Sequence, residues 1–398
     1  MNVVVQKYGG SSVADAAGIS NVARRIVETS DGGRLVCAVV SACGDTTDDL
    51  LRLAAEVSPH PPRRELDMLL SAGERISCAL VAMAVERLRR PAVSFTGSQA
   101  GILTDTGHGE AEIMEVRANR VEKALEQGKI VLVAGFQGVS TENEVTTLGR
   151  GGSDTSAVAL AHALGAELCE IYTDVDGVYS ANPSVVASAR LMPEITVDEM
   201  IGLTAAGAEV LALRSVLLAR RHQMPLRVRS SFTATEGTLV RAGVIDVPNR
   251  ICGVAFTTGE SVFTITGLED RAAESRILEA LAQARVAVDC LVRESNGDIS
   301  LVLAEEEATR AGRVLSELRA KHVCAYSVDK SMSRVSVVGR AARTTETTAA
   351  VASVLHHHGV PARLIQASLS LSCLVPRDLA EDVVTTLHDA LGLDRDWS

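Results

Sequence analysis

The sequence predicts an α/β fold, a three-layer αβα sandwich with a mostly parallel sheet, followed by two small α+β units. Three observations predict it: apolar runs that alternate with helical patterns up to residue 235, an internal repeat after residue 250, and an aliphatic core. Of 398 residues, 46% are hydrophobic but only 3% are aromatic. Val, Leu and Ala in these proportions suit a buried parallel sheet covered by helices. The length exceeds that of a usual single domain, so two or three compact units are expected.

The first 235 residues alternate between two kinds of segment. The predicted strands are Val3–Gln6, Leu35–Ser41, Ala92–Phe95, Ile130–Gly135 and Glu170–Val175. The predicted helices are Ala16–Thr29, Glu65–Arg89, Ala111–Gln127 and Thr155–Leu164. Such alternation predicts a parallel sheet with helices on both faces. In proteins of this architecture the ligand binds beyond the carboxyl ends of the strands, and the glycine-rich segments are predicted to lie there.

The last third of the chain is a duplication. The segment 261–267 returns as 333–339, and 299–303 returns as 371–375, in the same order and at the same spacing. Each copy is predicted to fold as strand, helix, strand, strand, helix, and two such units bury faces against each other. We therefore predict one domain over 1–235, a linker over 236–249, and two similar small domains over 250–330 and 331–398.

Composition excludes several classes of function. The net charge is −11 and no Lys/Arg cluster resembles a nucleic-acid footprint, so no nucleic-acid partner is expected. No apolar run reaches the roughly 18 residues of a membrane span, and the start of the chain shows no cleavage site, so no membrane association and a cytoplasmic location are expected. Eight cysteines without a C-x-x-C pair indicate buried thiols in a reducing compartment. The run His356–His358 precedes Gly359 and is better explained as a helix end than as a metal site, and no resident metal is expected.

Two glycine-rich segments could bind anions. The first, Lys7–Ser12, follows the first strand, where glycines let backbone N–H groups approach an anion beside a mobile lysine charge. Alone it could equally be a turn that ends a strand. The second, Leu148–Asp154, leads into a helix, and its N–H groups and helix dipole favour a phosphate or carboxylate. It matches neither the P-loop nor the dinucleotide fingerprint.

A third segment combines acids with a glycine. The predicted strand that begins at Glu170 runs into Asp174, Asp176 and Gly177. Carboxylate oxygens at a strand end suit a nucleotide with its Mg²⁺, because hard cations prefer oxygen ligands. A solvated turn is the alternative for this segment taken alone.

Together these segments resemble the aspartokinase family in order and spacing. The matching segments are Lys7–Val13, Val39–Ala42 with Thr46–Asp48, Ser71–Arg75, Ser94–Gly101, Ala134–Gly138, Leu148–Thr155 and Tyr172–Tyr179. The resemblance covers residues 1–235 closely and implies the amino-acid kinase fold, ATP and Mg²⁺ as cofactors, and an amino-acid substrate. The C-terminal repeats look like the ferredoxin-like ACT regulatory domains of that family, which implies a homodimer formed through them.

The resemblance also implies a role for particular residues. Lys7 would neutralise the transferring phosphoryl group, with Gly9 and Gly10 beside it, and Asp154 would orient Lys7. The residues that would hold the amino acid are Ser41, Thr47, Glu74, Phe136, Arg150 and Ser153. Arg150 suits an α-carboxylate as a bidentate fork, and Glu74 suits an ammonium group. The residues expected at the nucleotide are Gly151, Gly152, Thr173, Asp174 and Tyr179.

The chain departs from the family pattern at three places. Ser184 stands where a basic residue is usual, and Glu209 stands where a lysine usually meets ATP phosphates, so an attraction becomes a repulsion. The loops 267–272 and 339–344 lack the Pro-Gly pairs of effector-binding ACT loops. We therefore expect weakened feedback by lysine and threonine.

The leading hypothesis is an aspartate kinase, which converts ATP and L-aspartate to ADP and 4-phospho-L-aspartate. A side-chain carboxylate is already ionised at neutral pH, so the reaction needs positioning and charge neutralisation rather than a general base. Two alternatives stay open. One is an amino-acid kinase with altered substrate or nucleotide handling, and the other is a weakly active regulatory partner, which Glu209 and Ser184 favour.

Overall fold

The computed structural model describes residues 2–242, 249–268, 271–293, 297–321, 323–360 and 363–395. It divides into two compact units, which are described separately. The first contains 1–180, 190–205 and 209–248, and the second contains 181–189, 206–208 and 249–398.

The first unit alternates strands and helices, as predicted. Its strands are β1 (Val3–Tyr8), β2 (Leu35–Val40), β3 (Ala92–Phe95), β4 (Ile102–Thr104), β5 (Ile113–Val116), β6 (Ile130–Ala134), β7 (Gln137–Ser140), β8 (Val145–Thr147), β9 (Leu168–Thr173), β10 (Glu194–Thr196), β11 (Leu226–Ser230) and β12 (Thr238–Arg241). Its helices are α1 (Ala16–Asp31), α2 (Thr46–Val57), α3 (Arg63–Arg87), α4 (Asn119–Glu126), α5 (Gly152–Ala163), α6 (Val197–Ala205) and α7 (Leu213–His222).

Within the described residues, eight strands form the main sheet in the order β10-β12-β11-β9-β1-β2-β6-β3. The six strands from β11 to β3 are parallel to one another, and only β12 pairs antiparallel to β11. The carboxyl ends of β9, β1, β2 and β6 therefore lie side by side along one edge. In such sheets this edge is where ligands bind.

Helices cover both faces of this sheet. Helices α1 and α3 pack on the face that carries Tyr8, in a core of aliphatic side chains. Helix α5 packs on β1, β2 and β9 from the opposite face, towards which Lys7 points, one residue before Tyr8 on the alternating strand. Nearly every side chain of α5 is buried, which explains its apolar and small-residue sequence.

Helix α3 is the longest helix in the part of the chain that the structure describes. Among the described residues, α3 is also the one helix whose length and apolar composition would allow it to cross a membrane. Of its apolar 18-residue window, 44% is buried inside the protein. A helix that covers the core of a soluble protein passes the same test. Its buried face carries Asp67, Ser71 and Glu74 as well as apolar residues, so this face is built for the protein interior.

Two segments of the first unit form a different kind of structure from the one predicted, and helices α2, α6 and α7 were not predicted. The predicted helix Ala111–Gln127 is wrong in its first half, because Ile113–Val116 is strand β5, paired antiparallel with β4 in a small sheet of order β5-β4-β7-β8. Residues 238–241, placed in the predicted linker 236–249, form β12, so the first unit continues past residue 235. The linker residues 243–248 lie outside the described part of the chain.

The second unit repeats one arrangement twice. Its first copy consists of β13 (Ile251–Thr266), α8 (Arg271–Gln283), β14 (Cys290–Arg293), β15 (Ile299–Ala304) and α9 (Glu305–Ala320). Its second copy consists of β16 (Ala325–Gly339), α10 (Thr345–His357), β17 (Leu364–Gln366), β18 (Ser370–Pro376) and α11 (Ala380–Ala390). This is the predicted order of elements. Helix α10 ends at His357, as expected for the histidine run.

Both copies share one sheet, whose order among the described residues is β14-β15-β13-β16-β18-β17. The long central strands β13 and β16 pair antiparallel and carry bulges near Glu260. Each copy has a separate aliphatic core under its own helix pair. Strand β13 contributes Val254 to one core and Phe263 and Ile265 to the other, so the two copies are built on a common strand.

Candidate active site

One cavity of about 580 Å³ opens in the first unit at the carboxyl edge of the main sheet. Most of the predicted site residues line it. They are Lys7, Gly10, Ser41, Thr47, Glu74, Phe136, Arg150, Gly151, Gly152, Ser153 and Asp154. Four elements bring them together, namely the ends of β1, β2 and β6 and the start of α5, with α2 and α3 as a further wall.

The cavity holds a buried lysine–carboxylate pair. Lys7 Nζ lies 2.6 Å from Asp154 Oδ1, and both side chains are largely buried. The second oxygen of Asp154 accepts a hydrogen bond of 3.4 Å from the backbone N–H of Ala212. Asp154 therefore holds the ammonium group at the end of β1, beside the first turn of α5.

The turn before α5 depends on glycine. Gly149 and Gly151 have φ of +74° and +69°, in the left-handed region that other residues avoid. A Cβ on Gly151 would also lie 2.0 Å from the Cβ of Ala212. The turn can therefore pass close to the 209–212 segment and present the N–H groups of the first turn of α5 to the cavity.

Phe136 is held in an unusual backbone conformation. Its φ of +66° is rare for a large side chain, and such strain is concentrated at functional sites. Its N–H donates to Ser156 Oγ at 3.2 Å, and its carbonyl accepts from the N–H of Leu148 at 2.9 Å. Both partners belong to the glycine-rich segment and α5, so the end of β6 and the anion-binding turn form one unit.

Glu74 is a buried carboxylate that lacks a partner for one oxygen. The residue is 3% exposed, and among the described residues no donor reaches Oε2. Burial raises its pKa from 4.5 to about 7, and hydrogen bonds from the backbone of Glu74 and Ala42 oppose the shift only in part. A cation placed beside this oxygen would restore the charged form, which is what an ammonium group of a ligand provides.

The remaining predicted residues are not part of the wall of this cavity. The N–H of Gly9 donates to the carbonyl of Tyr172 at 3.2 Å, which joins the ends of β1 and β9. Thr173 ends β9, and its Oγ1 donates to Asp174 Oδ1 at 3.1 Å. Tyr179 lies further along, in an isolated bridge with Leu191. The nucleotide role predicted for these residues stays a prediction.

Two buried polar residues of the cavity wall, Asp67 and Thr147, were not predicted from the sequence. Asp67 is fully buried and lies on the same face of α3 as Ser71 and Glu74, four and seven residues on. That spacing of polar residues inside an otherwise apolar helix face was the signal that could have found it.

The comparisons with known proteins agree with this geometry. A model of the amino acid kinase family matches residues 2–230, so the chain belongs to that family. Aspartokinases of Mycobacterium tuberculosis and Mycolicibacterium smegmatis are 48% and 46% identical to it over 410 aligned positions, which cover 100% of this chain and 97% of each relative. Because this identity extends over the full length of the chain, the chain also belongs to the aspartokinases, a group within the amino acid kinase family.

Solved structures show the same fold. Aspartokinase III of E. coli in complex with aspartate and ADP, in its R-state, superposes with a TM-score of 0.84 at 26% identity and covers 98% of this chain and 100% of that one. The same enzyme with lysine and aspartate, in its T-state, has a TM-score of 0.76 at 26% identity and the same coverage. The fold is therefore the amino-acid kinase fold followed by the paired C-terminal domains.

Proposed function

We propose that the chain is an aspartate kinase, which transfers the γ-phosphoryl group of ATP to the side-chain carboxylate of L-aspartate. One observation carries the proposal. A single cavity combines the Lys7–Asp154 pair, the glycine turn with Arg150, and the unpartnered oxygen of Glu74. The relatives named above are aspartokinases, and the E. coli relative binds aspartate and ADP.

The two ends of an α-amino acid suit opposite charges in the cavity. Glu74 would bind the ammonium group, whose charge compensates the burial of the carboxylate. Arg150 would bind the α-carboxylate as a fork. The polar and aromatic groups of Ser41, Thr47, Phe136 and Ser153 would surround the rest of the molecule. A ligand without the ammonium group would leave Glu74 unpaired and should bind poorly.

The reaction requires two anions to meet. The aspartate side chain is ionised at neutral pH and attacks the γ-phosphorus directly, which forms the acyl phosphate and releases ADP, so no base has to remove a proton. Lys7 would reduce the repulsion between the carboxylate and the phosphate. The first turn of α5 would stabilise the negative charge of the phosphoryl group. Asp154 keeps Lys7 in place between them.

The nucleotide is proposed to bind along the ends of β1 and β9. The absence of side chains at Gly9, Gly10, Gly151 and Gly152 would let phosphates approach the backbone, where the N–H groups of Gly9 and Gly152 already donate to carbonyls. Thr173 and Tyr179 would lie towards the nucleoside. The exposed carboxylate of Asp174 fits Mg²⁺, which prefers carboxylate oxygens and enters with the triphosphate. When bound, the ion neutralises charge on the phosphates.

The alternative of altered nucleotide handling has one structural support. Glu209 is exposed in the turn between α6 and α7, three residues before Ala212, whose N–H binds Asp154 and whose Cβ faces Gly151. Glu209 therefore lies three residues from a position that packs against the turn proposed to bind phosphate. It would repel a triphosphate where the family usually has a cation.

Weakened feedback is proposed for the second repeat from its hydrogen bonds. Residues 340–343 form a 3-10 helix, and the N–H groups of Gly339, Ala341 and Thr344 already donate to backbone carbonyls. These three N–H groups are therefore not available to an effector. Residues 269–270 of the corresponding first loop lie outside the described part of the chain. Inhibition of the kinase by lysine or threonine at low millimolar concentration would contradict this proposal.

A cytoplasmic homodimer joined through the second unit completes the proposal. The two outer strands of its sheet, β14 and β17, are short, and their outer edges have no strand partner within the described residues. A second copy could cover such surfaces. Sedimentation of the full chain should give twice the monomer mass, and sedimentation as a monomer at micromolar concentration would contradict it.

A hydroxamate assay tests the function. Hydroxylamine traps any acyl phosphate, so the protein is incubated with ATP, Mg²⁺ and a panel of L-aspartate, L-glutamate, D-aspartate and succinate. Hydroxamate from L-aspartate alone supports the proposal. A preference for another acid supports a changed substrate, and no product with any acid supports the regulatory-partner alternative.

A further inference from the structure

Asp67 is a fully buried carboxylate in the wall of the cavity, and neither the proposed binding nor the proposed chemistry uses it. We propose that Asp67 is a positioning residue, which sets the separation between Glu74 and Arg150 and thereby the affinity for the amino acid. This inference rests on the proposed function. It adds a determinant of substrate binding that lies behind the groups expected to touch the substrate.

Asp67 is the centre of a dense hydrogen-bond cluster. Oδ1 accepts from Thr147 Oγ1 at 2.5 Å, and Oδ2 lies 2.7 Å from His108 Nδ1. The N–H of Gly109 reaches both oxygens, at 3.1 and 3.2 Å. The three partners come from two separate segments, the loop after β4 and the end of β8. One buried carboxylate therefore joins both segments to α3.

The first consequence concerns Glu74. Asp67 and Glu74 lie seven residues apart on one helix, which is two turns and about 10 Å along the axis. Both face the same side, because residues at this spacing nearly superpose on a helix. Asp67 therefore ties the loop after β4 and the end of β8 to the helix face that carries Glu74.

The second consequence concerns Arg150. Thr147 ends β8 three residues before Arg150, and its carbonyl accepts from the N–H of Ala111 at 2.9 Å. A Cβ on Gly149 would lie 3.3 Å from the carbonyl oxygen of Gly109, so the loop bound by Asp67 supports the glycine turn from behind. Fixing Thr147 and Gly109 therefore fixes the base of the Arg150 turn.

The ammonium and α-carboxylate of an amino acid are separated by a fixed distance, whereas Glu74 and Arg150 come from different elements. Asp67 is the buried group that connects those elements. Lys7, Gly9 and Thr173 lie on β1, β9 and the loops that follow them, and within the described residues the hydrogen bonds of Asp67 go to other segments. A change at Asp67 should consequently affect the amino acid much more than the nucleotide.

The fold does not depend on Asp67 alone at this junction. Gln137 on β7 donates through Nε2 to the carbonyl of Ser71 at 2.9 Å and accepts from Arg75 Nε at 3.1 Å. This second link holds the middle of α3 to the same small sheet. Variants of Asp67 should therefore still fold. The N-terminal part of α3 should be held less rigidly in them than in the parent.

The test uses the full-length protein and three variants. Asp67→Asn keeps the shape but loses the charge, and His108→Ala removes one partner without changing Asp67. Glu65→Gln is the matched control, because Glu65 is an exposed carboxylate on the same helix that pairs with its neighbour Arg64. For each, KM for L-aspartate, KM for ATP and kcat are measured, together with binding of a fluorescent ADP analogue and the melting temperature.

The expected result is a selective loss of amino-acid affinity. Asp67→Asn should raise KM for L-aspartate on the order of ten- to a hundredfold, because small misplacements of binding groups are costly, with KM for ATP and analogue binding changed less than about twofold. His108→Ala should shift KM for L-aspartate in the same direction by less, and Glu65→Gln should match the parent. An unchanged KM for L-aspartate in folded Asp67→Asn, or equal losses for both substrates, would overturn the inference. Should Asp67→Asn not fold, an unchanged KM in His108→Ala would overturn it. A parent protein without activity would instead overturn the proposed function.

Discussion

The ammonium nitrogen of Lys7 lies 2.6 Å from the carboxylate of Asp154, which joins the end of the first strand to the first turn of α5. The pair connects two segments that are 147 positions apart in the chain, the first of which was ambiguous in sequence. It places a cation, largely shielded from water, where two anions are proposed to meet. The consequences of this arrangement can be tested residue by residue.

Lys7→Gln should lower kcat on the order of a hundredfold or more, because the variant loses the charge that offsets repulsion between the carboxylate and the phosphate. Asp154→Asn should lower kcat as well, since Lys7 loses its anchor. The double variant should be little worse than Lys7→Gln alone, because the two residues act as one unit. Steady-state kinetics check this. Lys123→Gln, at an exposed position of α4, is the control, and additive effects of the two changes would contradict the assignment.

The raised pKa of Glu74 predicts how binding depends on pH. Only the ionised carboxylate attracts an ammonium group, so KM for L-aspartate should rise as the pH falls through about 7. Glu74→Gln should raise KM at every pH and remove this dependence. Measuring KM from pH 6 to pH 9 checks the prediction, and the same pH profile in Glu74→Gln and parent would rule Glu74 out as its source.

The same pKa predicts a cost in stability, and the sign follows from proton binding. The folded protein holds the Glu74 proton up to about pH 7, whereas the unfolded chain releases it near 4.5, so stability falls as the pH rises through this window. At pH 8 the free energy of unfolding of Glu74→Gln should therefore exceed that of the parent by roughly 3 kcal/mol, so the variant should melt at a higher temperature. The difference should vanish towards pH 4.5. A variant that is less stable than the parent at pH 8 would contradict this.

The glycine turn predicts a steric effect that can be separated from backbone strain. Gly151→Ala should abolish most activity, because the new Cβ lies 2.0 Å from that of Ala212 and the backbone has a positive φ. Adding Ala212→Gly should recover part of it by removing the clash but not the strain. Gly165→Ala is the matched control, since Gly165 has a φ of +59° with nothing within 4 Å of a new Cβ. Equal activity in the single and double variants would show that the clash is irrelevant.

Glu209 provides a test of nucleotide handling. Glu209→Lys should lower KM for ATP several-fold, because a cation replaces an anion near the proposed phosphate turn. Adding Ser184→Arg, which restores the second basic position of the family pattern, should lower it further. Glu126→Lys, an exposed carboxylate at the end of α4, makes the same charge change elsewhere. If neither Glu209→Lys nor the double variant gains ATP affinity or turnover, the hypothesis that Glu209 limits nucleotide handling is wrong.

The sequence predicted most of what local patterns determine. The parallel sheet, its strands β1, β2, β6 and β9 to within two residues at each end, and the duplicated second unit follow from periodicity and glycine positions, and the structure confirms them. The small sheet was not predicted, because β5 has the polarity of a helix and becomes a strand only through its pairing with β4.

The features of the site that the sequence did not predict depend on tertiary contacts. Asp67 is polar within an apolar helix, and only the fold shows that a loop and a strand from elsewhere meet its carboxylate. The left-handed backbone of Phe136 is likewise imposed by Ser156 and Leu148, which lie on other elements. Such features depend on partners that are distant in the chain.

The transfer of one oxygen atom tests the central claim most directly. L-Aspartate labelled with ¹⁸O in its side-chain carboxylate is incubated with ATP, Mg²⁺, the protein and hydroxylamine, and the released phosphate is examined by ³¹P NMR. Attack of the carboxylate on the γ-phosphorus, followed by hydroxylamine at the acyl carbon, leaves one ¹⁸O atom in that phosphate. Phosphate without label would mean that water, and not the carboxylate, received the phosphoryl group, and would contradict the proposed reaction.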